Sequence, residues 1–497
     1  MLECTLRIEI RSTHLNAAAM ARFQEVLRKG FQMLVDPALQ FLSAEPTPVR
    51  ARQIEQELQG AARKLCLRFL EWLFNQVAQT ELPQRVRVGT EEYRRREPRR
   101  LKLATLFGQA EVWREVLEPL TEGERCRVPF DEWVGVLPGH VSAALAEKIA
   151  RLSASGTQSE VRQQLLEENG QSLSVDRLRN MTAGIGAAVE PFIEPEQAWQ
   201  LLQWLKQAES SRGKHRPTLS VGRDGCDLPI RDEPEYKVGT VATVSVLDRR
   251  GRRVGTMYLG RMPEAGQGTL TRKLTSLLTA VLGVHPGEPR LVYVTDGGHH
   301  EEAYFQALRR LRHPVTNAKL CWERVVDFFH VCEYVTKLAE LRFGKGRAAS
   351  GWARKMRRIL RDKPSGAKRV IHSIAAHHQH VVLTRSQEKE YRTYLNYIRK
   401  RIRWMDYHGL RKRGMPIGSG VTEAACKTVF TQRMKRSGMK WNREDGQPVL
   451  TLRCLVLSGI WPAVYQAHLE HLVNTIPEPL RPTTYARPTR KHPHQAA

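Results

Sequence analysis

The period of the apolar positions along the chain changes near residue 84. Over 18–45 and 50–80 apolar residues recur every three to five positions, which predicts two amphipathic helices. Over 84–116 apolar and polar residues alternate instead, and Gly108 separates two alternating stretches. Because alternation is the period of a half-buried strand, this part of the chain predicts a β-hairpin that turns at Gly108.

A second helical region follows at 138–186, where the pattern predicts three short helices. Ser174 is suited to cap the third helix, since its side chain can accept a hydrogen bond from the backbone. Two helices joined by a short turn that contains Gly170 form a helix-turn-helix pattern. Arg177 and Arg179 would then lie near the start of the recognition helix. The alternative is a generic three-helix bundle without contact to DNA.

Beyond a polar linker at 209–217 the pattern changes to strands. TLSVGRDGCDLPI predicts one strand, and KVGTVATVSVLD and RRVGTMYLGRM predict a hairpin across DRRG. RLVYVTDGG predicts a short strand that ends at an Asp-Gly-Gly turn, and EEAYFQALRRL predicts a helix. Three strands, then a strand and a helix, is the order of a ribonuclease H-like sheet, although many α/β domains share it.

The region 311–415 is predicted to be mainly helical, and it is strongly basic. Residues 341–415 include 21 Lys and Arg against four acidic residues, a net charge of +17. Arginines interleaved with aromatic residues suit phosphate contact and base stacking, whereas the alternative is a solvated helical face over ordinary core aromatics. The interleaved aromatic residues are Trp352, Tyr391, Tyr394, Tyr397, Trp404 and Tyr407.

The whole chain has a net charge of +27 and a sequence pI of about 10.1, which favours a polyanion such as nucleic acid as its partner. The sequence has no run of about 18 apolar residues, so no membrane span is predicted. Its N-terminus does not have the basic segment followed by an apolar segment that is typical of a secretory signal. The eight cysteines include no CxxC pair, so we predict no zinc site and expect a reducing, cytoplasmic location.

Several acidic residues are candidates for metal chemistry. Phosphoryl transfer on nucleic acid uses two divalent ions roughly 4 Å apart, held by carboxylates from converging elements. Asp224 lies in the first predicted strand and Asp296 ends the fourth, while Asp227 is an alternative to Asp224 that would point to the opposite face. Glu423 lies one turn into a predicted helix for which Ser419 is a candidate N-cap. Taken singly, each acid also fits a turn or a helix start.

Four segments together resemble a known family. Asp224-Gly225, Asp296-Gly297, VVDFFHVCEYV and GSGVTEAACKTVFTQRMKRSGMKW are similar to prokaryotic insertion-sequence transposases of the Kra (ISKra) subgroup. The similarity extends over about 215–470 and is looser over 100–215. It implies an Asp-Asp-Glu enzyme with a ribonuclease H-like fold, in which Asp224, Asp296 and Glu423 bind two Mg²⁺ or Mn²⁺ ions. It also implies a helical insertion between Asp296 and Glu423.

The resemblance adds further candidate residues. The segment Asp327-Phe328-Phe329-His330 is similar to an Asp-x-x-His signature of related transposases, so Asp327 and His330 are accessory candidates, as is Lys427. For His330 the alternative is a buried histidine with a structural role. Relatives often have paired cysteines before the helix-turn-helix region, whereas this chain has only Cys126 there. The predicted DNA-binding residues are Arg177, Arg179, Arg399, Lys400, Arg401, Arg403, Arg433 and Lys435.

The predicted fold is an α/β ribonuclease H-like core interrupted by an all-helical insertion, after a mainly helical N-terminal DNA-binding region. Its predicted segments are an N-terminal helical region with a β-hairpin (1–125), a helix-turn-helix region with linker (126–215), the first part of the core (216–310), the basic insertion (311–417), the second part of the core (418–475) and a disordered tail (476–497).

The expected activity is metal-dependent cleavage at transposon ends followed by strand transfer into target DNA. The expected partners are double-stranded DNA and, in the active complex, further copies of the chain. Two alternatives stay open, a catalytically inactive DNA-binding regulator of the same fold and a nuclease that cleaves without joining.

Overall fold

The computed structural model describes residues 17–379 and 382–481, and these residues form two compact units. The first unit comprises the described residues up to Ala188 together with those from Tyr465 onward. The second comprises Val189–Val464. Most of the predicted tail, residues 482–497, lies outside the described residues.

The first unit begins with two long helices, α1 (Ala17–Leu42) and α2 (Pro48–Ala78). An antiparallel sheet follows, in the order β1 (Arg85–Val88), β2 (Glu91–Thr105) and β3 (Gly108–Pro119). The predicted helical pair and the predicted hairpin at Gly108 are confirmed. Gly108 has a φ of +134°, a conformation that glycine adopts far more readily than other residues.

The helices α3 (Pro129–Val134), α4 (Ala143–Ser155), α5 (Gln158–Asn169) and α6 (Val175–Ser210) come next. The three helices predicted over 138–186 are present, and the backbone N–H of Arg177 donates to Ser174 Oγ at 3.1 Å, as the predicted cap requires. The prediction that the third helix ends near 186 is wrong, because α6 is 36 residues long and continues to Ser210. Isolated glycines cost a helix only about 1 kcal/mol each, which tertiary packing offsets.

The second unit contains a mixed sheet. Within the described residues its strands are β4 (Thr218–Leu228), β5 (Lys237–Leu247), β6 (Arg253–Arg261), β7 (Arg290–Thr295) and β8 (Trp322–Val326). They lie side by side in the order β6-β5-β4-β7-β8. The three strands on one side pair antiparallel, and β7 and β8 extend the sheet parallel to β4.

Strand β8 departs from the prediction of mainly helix over 311–415. Its residues Trp322–Val326 pair with Leu291–Thr295 of β7. A short apolar run fits a buried strand and a buried helical turn equally well, so its period could not distinguish them. The first part of the sheet-bearing core therefore extends beyond residue 310.

Helices surround this sheet. Between the strands lie α7 (Gly268–Val284) and α8 (His299–Arg310). Between β8 and residue 420 lie α9 (Phe328–Phe343), α10 (Arg347–Asp362), α11 (Gly366–His378), α12 (Arg385–Arg401) and α13 (Tyr407–Lys412). Their apolar side chains share a core with Val292, Val294, Val325 and Val326, so this helical insertion packs directly on β7 and β8.

The last helices complete the second unit and lead back to the first. Helix α14 (Gly420–Ala425) continues through a π-helical turn at Cys426–Thr431 into α15 (Gln432–Met434). Helices α16 (Arg443–Leu457) and α17 (Trp461–Thr475) follow. Among residues 17–379 and 382–481, no single helix has the length and apolarity to cross a membrane; α16 and α17 meet that test only as a bent pair, by length and composition.

Candidate active site

The pairing of β4 with β7 aligns two of the predicted acids. Each β4 residue in this ladder pairs with the β7 residue 72 positions later, ending with Gly222 opposite Val294. Asp296 follows Asp224 by the same 72 positions, so both acids lie two residues beyond the last pair. Because neighbouring strands are about 5 Å apart, the register brings Asp224 and Asp296 to adjacent positions at one end of the sheet.

The third acid, Glu423, comes from α14, which lies over the same face of β4. Gly222 and Asp224 share this face because side chains alternate along a strand. Helix α14 approaches so closely that a Cβ atom at Gly222 would collide with Thr422 Oγ1. Thr422 also hydrogen bonds Thr243 of β5, with 2.7 Å between the two hydroxyl oxygens. The next residue in the helix is Glu423, which is thereby held near Asp224.

The pKa of Asp224 reflects this arrangement. Burial raises it above the ordinary value for an aspartate, and repulsion from Asp296 and Glu423 raises it further. Hydrogen bonds from the Cys426 thiol, 3.2 Å from Asp224 Oδ2, and from the Gly225 N–H oppose the increase. Asp296 and Glu423 are therefore close enough to Asp224 to act on its carboxylate electrostatically.

The donor chemistry of these residues fits a divalent cation of the Mg²⁺ type. Their ligand atoms are all carboxylate oxygens, which Mg²⁺ prefers, and a cation would relieve the repulsion at Asp224. In the part of the chain that the structure describes, no group of three or more His, Cys, Asp or Glu side chains is placed so that it could hold a metal ion. Mg²⁺ keeps several of its water ligands and so needs few protein oxygens.

Asp227, the alternative first acid, lies in a different environment. It is exposed on β4, three positions after Asp224, and pairs with Val238 of β5. An odd spacing along a strand turns its side chain to the other face. The geometry therefore favours Asp224 over Asp227 as the partner of Asp296.

Arg223, the polar neighbour of Asp224, is buried on the opposite face of β4, where only 3% of its surface is exposed. Its Nε lies 3.8 Å from Glu301 of α8, and its Nη atoms donate to Thr271 Oγ1 at 3.2 Å and Gln267 Oε1 at 2.6 Å. Glu301 accepts a further hydrogen bond of 2.5 Å from the hydroxyl of Tyr293. This buried ion pair joins β4 to the first turn of α8, directly after the Asp296 turn.

Burial raises the pKa of Glu301, Arg223 and the Tyr293 hydroxyl lower it, and Asp296 and Asp224 raise it again. This network could not be predicted from the sequence, because Arg223 and Glu301 are far apart along the chain. Only a charged residue inside an otherwise apolar strand pattern could have suggested a buried partner.

The Asp296 turn is held from both sides. Asp296 Oδ1 accepts a hydrogen bond from Gly298 N–H at 2.9 Å, and Gly297 has a φ of +86°. From the insertion, the Tyr397 hydroxyl donates to the backbone carbonyl of Asp296, and Arg401 donates to that of Gly297 at 2.8 Å. Arg401 also lies over the Tyr397 ring, 4.2 Å from its centroid. Arg401, predicted to contact DNA, thus fixes the backbone beside Asp296.

Asp327 is fully buried at the corner between β8 and α9. Its carboxylate accepts from His330 N–H at 2.7 Å, which caps α9, and from the backbone N–H and hydroxyl of Ser419. His330 is half-buried, with its ring packed edge-on against Tyr334. Ser419 is the N-cap residue of α14, as predicted, but its side chain does not bond to the backbone of that helix, because its hydroxyl faces Asp327 and Glu423.

Among the other predicted DNA-binding residues, one is buried and several are exposed. Arg433 is only 1% exposed and lies over the Trp441 ring, so the prediction that it contacts DNA is wrong. Its long aliphatic stem suits the interior, and the charge is met by the aromatic face. Lys435, Arg399 and Lys400 are exposed, as is the accessory candidate Lys427.

Three other predicted arginines have partners within the chain. Arg403 lies over the Trp404 ring, 4.1 Å from its centroid. In the first unit, Arg177 donates to the carbonyl of Gly139 at 2.9 Å, and Arg179 pairs with Asp176. Each of these guanidinium groups is thereby oriented by its neighbours.

No protein-family model and no curated protein matches this chain.

Proposed function

We propose that the chain is a DNA transposase with a ribonuclease H-like catalytic core, in which Asp224, Asp296 and Glu423 bind two divalent metal ions. The observation that supports this most directly is the shared register of Asp224 and Asp296 on neighbouring parallel strands, with Glu423 on the helix above them. The mixed sheet with the strand order β6-β5-β4-β7-β8, antiparallel and then parallel, supports the ribonuclease H-like part of this proposal.

In this proposal Asp224, Asp296 and Glu423 would together hold the ions, and Asp224 is the acid whose pKa both of the others raise. Bound ions would supply activation of the attacking oxygen and stabilisation of the leaving oxygen at the phosphorus. Asp296 is held by a turn whose backbone is fixed by Tyr397 and Arg401, and Glu423 is held by Ser419. Such preorganised ligands avoid the cost of rearrangement during the reaction.

The basic insertion supplies a surface suited to the phosphate backbone of DNA. One face of α10 is buried through Ala349, Ala353, Met356 and Leu360. Its exposed face presents a row of cations, namely Arg347, Arg354, Lys355, Arg357, Arg358 and Arg361. Because so many like charges repel one another without a polyanion, this face favours nucleic acid as partner. The phosphate contacts would position DNA without reading its sequence.

The first unit supplies a candidate for sequence recognition. Helix α5 ends at Gly170, which has left-handed backbone angles, and α6 begins five residues later. The left-handed glycine and the short turn into α6 support the helix-turn-helix interpretation. Arg177 and Arg179 lie in the first turn or two of α6, where a recognition helix reads base edges.

The test is an assay of cleavage and strand transfer with the full-length protein, Mg²⁺ or Mn²⁺, and DNA that flanks the coding region. We expect cleaved ends and joined products with the wild type and with Asp227→Ala. We expect neither product with Asp224→Ala, which should keep its affinity for DNA. If Asp227→Ala is inactive while Asp224→Ala is active, the assignment of the first ligand is wrong.

The same assay separates the alternatives. Cleavage without joined products would favour a nuclease that cannot transfer strands. DNA binding without any cleavage in either metal would favour a catalytically inactive regulator.

A further inference from the structure

The loop that precedes α14 is clamped onto the start of α9. The backbone N–H of Phe328 donates to the carbonyl of Ile417 at 2.9 Å, and Asp327 accepts the backbone N–H of Ser419. Gly418 lies between these bonds, where a Cβ atom would fall 2.8 Å from the ring of Phe329 and 3.4 Å from Asp327 Oδ2. The clamp joins residues 92 positions apart, so it closes the base of the whole helical insertion.

The Ser419 hydroxyl lies between two carboxylates. Its oxygen is 2.6 Å from Asp327 Oδ2 and 2.8 Å from Glu423 Oε1. A serine hydroxyl has one hydrogen, so it can donate fully to only one of these acceptors at a time. Asp327 is fully buried and already accepts two backbone N–H groups, whereas Glu423 is exposed. Asp327 is therefore the fixed end of this bridge and Glu423 the movable end.

From this geometry we propose that Asp327 is a positioning residue for Glu423 and acts through the hydroxyl of Ser419. Before a cation binds, the hydroxyl lies within donating distance of both carboxylates, and when it donates to Glu423 it holds that carboxylate towards Asp224. When a divalent cation takes the Glu423 oxygens, the hydroxyl turns to Asp327, which remains able to accept it. The first part concerns the chain alone, and the second part rests on the proposed function.

This role also accounts for the buried carboxylate itself. An aspartate without exposed surface is costly unless its oxygens are well bonded. A cap for α9 alone would need one hydrogen bond, and threonine or asparagine on the surface would provide it. Asp327 instead connects three elements: β8, α9 and the loop that leads to Glu423.

The experiment compares hydrogen exchange and Mn²⁺ binding in the full-length wild type, Ser419→Ala, Asp327→Asn and Thr428→Ala. Thr428 is the matched control, because its hydroxyl lies in the same continuous helix and bonds only to backbone carbonyls. Without metal, the backbone amides of α14 should exchange about 10- to 100-fold faster in Ser419→Ala and Asp327→Asn, the loss expected for a hydrogen bond to a charged group. Thr428→Ala should exchange like the wild type in α14.

With Mn²⁺, the wild type should be stabilised, and Ser419→Ala should bind the ion about 10- to 100-fold more weakly, as is typical when a partner of a metal ligand is removed. Ser419→Ala is the decisive variant, because it keeps Asp327 and therefore the cap of α9. It remains informative even if Asp327→Asn fails to fold. Unchanged exchange of α14 in a folded Ser419→Ala variant would overturn the positioning role. Faster exchange together with no Mn²⁺ binding by the wild type would leave that role standing and would count against the proposed function.

Discussion

The buried pair of Arg223 and Glu301 offers a quantitative test of how the site is supported. Arg223→Met keeps most of the volume and removes the charge, so Glu301 would remain buried without its cation. The two side chains are only 2% and 9% exposed, which leaves little solvent to compensate. Removing one partner of a buried pair costs about 3–5 kcal/mol. Because the closest contact is 3.8 Å, we expect the lower end, about 3 kcal/mol.

The double variant Arg223→Met with Glu301→Gln distinguishes the interaction between the two charges from the other contacts that each side chain makes. Once neither charge is buried, most of the penalty should disappear, and the double variant should cost less than the two single variants together. The assay is hydrogen exchange of the β4 and β7 amides, which reports the local free energy of opening in a chain whose two units need not unfold together. A loss of about 3 kcal/mol corresponds to roughly 100-fold faster exchange.

Arg272→Met is the control, since Arg272 is an exposed arginine on α7 next to Thr271. It should change exchange of β4 and β7 by less than about 0.5 kcal/mol, as surface substitutions usually do. An Arg223→Met variant that behaves like this control would contradict the expected cost of breaking the pair, as would penalties of the two single variants that simply add in the double variant.

Three further predictions concern pH, packing and charge. Because the pKa of Glu301 is raised in the folded state, its stabilising contribution is present below the ordinary glutamate pKa and is lost as pH rises through the raised pKa. The destabilisation caused by Glu301→Gln should therefore shrink as pH rises through that range in hydrogen exchange of β4 and β7, corrected for the intrinsic rate at each pH, and a constant difference would contradict this. Gly222→Ala should push Thr422 away and increase exchange of α14, whereas unchanged exchange would show that the helix yields without cost. Arg399 and Lys400 are both exposed, and replacing them with Gln should lower the slope of log affinity against log salt concentration by the equivalent of up to about two phosphate contacts. An unchanged slope would show that these two charges are solvated and do not contact DNA.

The first unit is not formed by the N-terminal residues alone, so an N-terminal fragment would be an incomplete unit. Residues 1–215 were predicted to contain the recognition region, and a fragment of that length would appear self-sufficient. In the structure the Trp133 indole donates to the carbonyl of Leu480 at 2.6 Å, and the Tyr465 hydroxyl donates to that of Ala143 at 2.7 Å. The C-terminal residues complete this unit, so DNA recognition should be tested in the full chain.

Local pattern was sufficient for the elements that have a clear period or a strong turn signal. The hairpin at Gly108, strands β4 to β7 and the helices of the insertion follow from alternation, helical spacing and glycine position. Charge also required no structure, because a net of +27 is a sum over residues. Asp224, Asp296 and Glu423 were singled out by their positions at a strand, a strand end and a helix start, together with the family resemblance.

Only the tertiary structure decided which side chains meet. Arg433 belongs to a basic segment, but it is buried against Trp441, and Arg401 binds the Asp296 turn. The Ser419 side chain could have bonded to the backbone of its own helix, yet the clamp between α9 and the loop before α14 turns its hydroxyl to Asp327. The sequence determines the chemistry of each residue and the local period of apolar positions, which indicates helix or strand. The partners of a buried charge depend on contacts between residues far apart in the chain, which the local pattern does not encode.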